Sequence, residues 1–82
     1  MNKVGVVEHY YSKISVALVA LSGDLAVGDK IRIKGATTDF EQVVKSMQIE
    51  HESISSAKKG QKIGLKVESK VRSNDEVFVV ED

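Results

Sequence analysis

Apolar and polar residues alternate along most of this chain with a period of two, the spacing of half-buried strands rather than helices. "VGVVEHYY", from Val4, is strand-like and rich in β-branched and aromatic residues. "KIRIKG", Lys30 to Gly35, alternates cleanly: Ile31 and Ile33 face one way, Lys30, Arg32 and Lys34 the other. "KIGLKV", Lys62 to Val67, repeats the pattern with Ile63, Leu65 and Val67 inward and Lys62, Gly64 and Lys66 outward. "EVFVV", Glu76 to Val80, is the last strand. "FEQVVKSMQIEHESI", Phe40 to Ile54, is a longer and less regular strand. A helix competes there, because Phe40, Val43, Val44 and Met47 stand at i, i+3, i+4 and i+7. The strand is preferred, since its neighbours are strands and a barrel must close.

One run has two apolar faces. In "ISVALVAL", Ile14 to Leu21, Ile14, Val16, Leu18 and Ala20 fall on one side, and Ser15, Ala17, Val19 and Leu21 on the other. A strand of this kind is covered on both sides. A loop or the C-terminal segment can supply the outer cover, and so can another protein, which would meet Ala17, Val19 and Leu21. Turn signals punctuate the strands. Ser22-Gly23-Asp24, Val27-Gly28-Asp29 and Lys59-Gly60-Gln61 each supply a residue that accepts positive φ, and Asn74 replaces glycine in Ser73-Asn74-Asp75. About six short strands at this spacing predict an all-β fold, a small closed antiparallel β-barrel, with residues 1–82 as one domain.

Composition narrows the function classes. The 82 residues include no cysteine, so disulfides and thiolate metal sites are out. No apolar run reaches the roughly 20 residues of a membrane-spanning helix, and "MNKVGVVEHYY" lacks the pattern of a signal peptide. A soluble cytoplasmic protein is expected. Twelve basic and twelve acidic side chains cancel, which argues against a strongly electrostatic nucleic-acid binder. The cations cluster nonetheless: Lys58, Lys59, Lys62, Lys66, Lys70 and Arg72 lie in one stretch with a single acid, Glu68.

The order of these segments carries a resemblance. "GDLAVGDKIRI" at 23–33, "VKSM" at 44–47, "AKKGQKIGL" at 57–65 and "NDEV" at 74–77, after a strand containing Gly5, resemble the second domain of translational GTPases such as elongation factor Tu. The longer phrases "IKGATTDFEQVVKSMQIEH" and "AKKGQKIGLKV" look closer to two subgroups. One is a set of small stand-alone elongation-factor-like proteins. The other is the C-terminal barrel of collagenase-like proteins, named for a peptidase activity, that also modify RNA. The resemblance implies a closed barrel of the translation-protein type and a neighbourhood of tRNA, ribosomal RNA or translation-related proteins. There is no "GxxxxGK(S/T)" phosphate loop, so no GTPase is expected.

Candidate chemistry is sparse. His9 and His51 each stand beside acids, but neighbouring strand residues point to opposite faces, so neither group grips a metal easily. The serines of "SISSA" at 53–57 read as a polar loop. The expectation is a non-enzymatic module with no metal, no cofactor and no small-molecule substrate. Two kinds of partner stay open. Lys58, Lys59 and Lys62 near a turn, extended by Lys66, Lys70 and Arg72, can meet RNA phosphates, while Tyr10 or Tyr11 stacks on a base. Alternatively, a translation-related protein or a second copy docks on strand 14–21 through Ala17, Val19 and Leu21.

Overall fold

The alternation resolves into strands joined by tight turns, with no helix among the described residues, which in this computed structural model are 2–80. In chain order they are β1 (Asn2–Tyr11), β2 (Val16–Leu21), β3 (Leu25–Ala26), β4 (Lys30–Lys34), β5 (Asp39–Val43), β6 (Met47–Ile49), β7 (Glu52–Ile54), β8 (Ser56–Ala57), β9 (Lys62–Lys66) and β10 (Glu76–Val79). Eight form one antiparallel sheet in the order β5-β4-β10-β1-β2-β9-β6-β7, and β3 pairs with β8 beside it. The sheet curls around Val7, Val19, Ile31, Ile33, Ile63, Leu65 and Val77, all fully buried. Each such side chain contributes about 1.5–3 kcal/mol when taken out of water. Val71, in the loop between β9 and β10, adds a buried side chain from outside the strands.

The expected closed barrel is corrected to a curled sheet, a half-barrel: no ladder joins the edges β5 and β7. The reason lies in residues 44–46, which carry the chain from one flank of the sheet to the other. β5 pairs with β4 from Lys30↔Val43 to Lys34↔Asp39. Val44 then bonds the turn after β3, its N–H donating to Asp29 O and its carbonyl accepting from Gly28 N. Ser46 O accepts from Lys66 N, and Met47 pairs with Leu65 of β9. One strand has turned a corner and changed partners. The seam is bridged by Gln42, buried on β5, whose Nε2 donates to Lys66 O at 2.9 Å and whose Oε1 accepts from Glu68 N at 2.8 Å.

The corner also explains the irregular pattern of 40–54. Gln42 and Val44 keep a period of two, and the bend shifts the next buried residue to Met47. The helix-like spacing of Phe40, Val43, Val44 and Met47 is a by-product of that shift, and Val43 points outward. The expected single strand is three: β5, β6 and β7.

Candidate functional site

The two-faced strand β2 is oriented by its neighbours. In paired strands, directly opposed residues share a face. Ala17 lies opposite Leu65 and Val19 opposite Ile63, while Lys62 and Lys66 keep β9's outer face polar. Ala17, Val19 and Leu21 are therefore core residues, with relative exposures of 0%, 0% and 5%. This corrects their assignment as a protein-contacting face. A charge at Val19 would report on folding, not docking. The outward side of β2 is Val16, Leu18 and Ala20, all half-buried.

A bulge in β1 continues that surface. The register slips between Val7 and His9, so His9 lies opposite Leu18 and Tyr11 opposite Val16. A bulge re-aims the residues beyond it. His9 and Tyr11 come to the outer face, ring centroids 4.5 Å apart and inclined by 68°. Tyr10 turns inward against the core. Of the two tyrosines proposed for stacking, Tyr11 is the available one.

Beside Tyr11 lies a groove of about 330 Å³, lined by Tyr11, Ile14, Val16, Gln48, Glu50, His51 and Gly64. Gly64 makes its floor. A Cβ there would lie 3.3 Å from Val16 Cγ1 and within 4.0 Å of Gln48, filling the bottom of the hollow. Ile14, 57% exposed, stands on the hairpin between β1 and β2. The far lip is the β6–β7 hairpin. Ile49 pairs with Glu52, so the loop is Glu50-His51 alone, with φ of 51° and 67°. Positive φ at both loop residues is the signature of a type I′ turn, which Asn-Gly normally supplies. Here Glu and His are held in a strained conformation at the edge of the groove, the pattern in which strain points to function.

The basic residues are spread out. Lys62 and Lys66 project from the outer face of β9, about 13 Å apart by strand rise. Lys62 pairs with Glu8 at 3.3 Å. Lys66 reaches the groove's edge, its Nζ donating to Ile14 O at 2.8 Å. It makes no ion pair among the described residues. Lys58 and Lys59 occupy the turn before β9, where their backbone N–H groups donate to Gln61 Oε1 and Asp24 Oδ1. Lys70 and Arg72 belong to the loop beyond the strand's other end, and Arg72 N donates to Asp75 Oδ2. The structure thus does not gather the six cations into one patch. Lys13, at the tip of the β1–β2 hairpin, is a nearby cation outside the basic stretch of the sequence. On β4, away from the groove, Arg32 Nε and Nη2 clamp Asp39 at 2.7 and 2.8 Å. These hydrogen bonds hold the Asp39 carboxyl below its ordinary range.

No family model matches the chain. It is 44% identical over 81 residues to an uncharacterized protease of Methanocaldococcus jannaschii, covering 98% of this chain and 20% of that protein. It is 38% identical over 71 residues to a collagenase of Porphyromonas gingivalis, covering 84% of this chain and 20% of that protein. Its relatives include collagenase-like proteins. The chain spans about a fifth of their length. Among solved structures, the C-terminal domain of a Geobacillus thermoleovorans protein named as a U32 peptidase has the same fold. Its selenomethionine variant superposes with a TM-score of 0.90 at 20% identity, covering 95% of this chain and 99% of that one. A second structure of that domain gives 0.91 at 19% identity, covering 98% and 93%. These matches bear out the likeness to the collagenase-like C-terminal barrel. The likeness to translation factors rests on the sequence motifs alone.

Proposed function

We propose that this domain is a non-enzymatic binding module that holds an unpaired stretch of RNA in the groove over Gly64. The observation that supports the reading is the groove's composition. Exposed Tyr11 and His51 and the aliphatic Ile14 stand around a floor without a side chain, and Lys66 lies at the rim. A flat apolar surface beside a cation suits a nucleotide, whose base stacks while its phosphate meets the charge. The Gln48 amide and the Glu50 carboxylate offer an acceptor and donor set for a base edge. tRNA and ribosomal RNA, with their unpaired ends and loops, are the RNA that the translation-factor resemblance suggests. In the relatives a segment like this one accompanies a much longer chain. The same division is proposed here, with this domain gripping substrate for chemistry carried out by a larger collagenase-like protein.

A neutral chain that uses two lysines binds RNA with only shallow salt dependence. For two phosphate contacts on a single strand, the slope of log K against log salt is about −1.4. Anisotropy of a labelled unpaired oligoribonucleotide across a salt series measures it. Replacing both Lys13 and Lys66 by Gln is expected to flatten the slope and weaken binding, while Lys58→Gln with Lys59→Gln changes little. No binding at low salt would remove the reading.

The half-buried Val16, Leu18 and Ala20 favour a second reading, in which a larger collagenase-like protein packs on this outer face. In that case the oligoribonucleotide is not bound, and Leu18→Glu breaks the protein contact without unfolding the domain.

A further inference from the structure

Tyr11 and Ile14 line two hollows at once. On one side is the groove over Gly64. On the other is a hollow of about 340 Å³, completed by His9, Tyr10, Ser12 and Lys13. The two residues form a ridge between cavities of nearly equal size. Each cavity falls at the low end of the range for a small-molecule site, suited to one base with part of its sugar. Cations stand at the ridge and beyond it: the Lys66 ammonium contacts the Ile14 carbonyl, and Lys13 lines the second hollow. Each hollow has rings besides Tyr11, His51 in the first and His9 with Tyr10 in the second.

We infer that the groove is a two-nucleotide site for unpaired RNA. The bases of one dinucleotide step lie on either side of the Tyr11–Ile14 ridge, and successive backbone phosphates meet Lys66 and Lys13. The inference rests on the RNA reading above and narrows it. A step split over a ridge cannot remain stacked or paired, so duplex RNA is excluded from the site. Tyr11 and Ile14 are both exposed, so altering them leaves the core intact.

The test is a length series titrated into the full chain: a nucleoside monophosphate, a dinucleotide, a tetranucleotide and a duplex of the same sequence. A second base on an aromatic surface is expected to tighten the dinucleotide over the mononucleotide by about tenfold or more. The tetranucleotide should gain little beyond that, and the duplex should not compete. Tyr11→Ala and, separately, Ile14→Ser should bring the dinucleotide down to the affinity of the mononucleotide, with the amide spectrum confirming the fold. Equal affinity for one and two nucleotides overturns the two-base site while leaving RNA binding in place. So does competition by the duplex. Failure of every single-stranded probe overturns the RNA reading and this inference with it. An extended proline-rich peptide serves as the control ligand, and preferential binding of that peptide would overturn both.

Discussion

Gln42 does in one side chain what a strand pair does elsewhere in the sheet. Its carboxamide donates to Lys66 O and accepts from Glu68 N, the two bonds a peptide group would make at that place. The sequence shows it only as a polar residue in an irregular run, in step with Phe40 and Val44 but without the apolar side chain that marks an inward position. Removing the amide leaves a carbonyl and an N–H short of partners in a partly buried seam. Such groups cost about 1–3 kcal/mol. Gln42→Ala is therefore expected to lower the melting temperature by about 5–15 °C in a domain of this size, as followed by circular dichroism. An unchanged midpoint would mean that the seam is held by other contacts. Gly64, by contrast, is legible in the sequence. A glycine inside an alternating strand signals a bend or a close approach, and here it floors the groove.

Among the elements, legibility follows how sharply the two faces differ. β4 and β9 alternate isoleucine or leucine with charge, and their inward residues are as the pattern predicts. β2 is apolar on both faces, so periodicity alone cannot say which is inside. Pairing with β9 decides it, and pairing is not visible in one strand's sequence. The bulge at Glu8 similarly exchanges the roles of Tyr10 and Tyr11. The β6–β7 turn is hidden for a different reason, because Glu-His lacks the Asn-Gly signature of a two-residue hairpin. Its left-handed residues imply a specific trade. Replacing Glu50 by Asn together with His51 by Gly relieves strain of about 1–2 kcal/mol per residue. The variant is expected to melt about 5 °C or more above the parent and to bind RNA more weakly. Higher stability with undiminished binding would separate the strained turn from the site.

At the scale of the whole molecule, a neutral chain sets two exposed apolar side chains, Tyr11 and Ile14, beside one groove, while Val27 and Val43 are exposed away from it. Inward, the curled sheet encloses its core; outward, β1, β2, β6 and β9 present Tyr11, Leu18, Val16, Gly64 and Gln48 side by side. The class of fold was readable from turns and periodicity. The open seam was not, because it depends on a corner at 44–46 that re-pairs one strand across the molecule. Of the candidate site's parts, the sequence offers Tyr11 as a stacking ring and Lys66 as a cation, while Gly64 reads only as a bend and His51 only as a solvated histidine. Those residues are distant in sequence and meet only through the register of four strands.

The most direct measurement is an amide-resolved NMR titration of the labelled chain with an unpaired oligoribonucleotide, at low and then moderate salt. The account predicts shifts concentrated at Tyr11, Ile14, Gln48, His51 and Gly64, with Lys13 and Lys66 following and all of them weakening with salt. Shifts confined to Lys58, Lys59 and Lys62, or a spectrum that does not move, would contradict it.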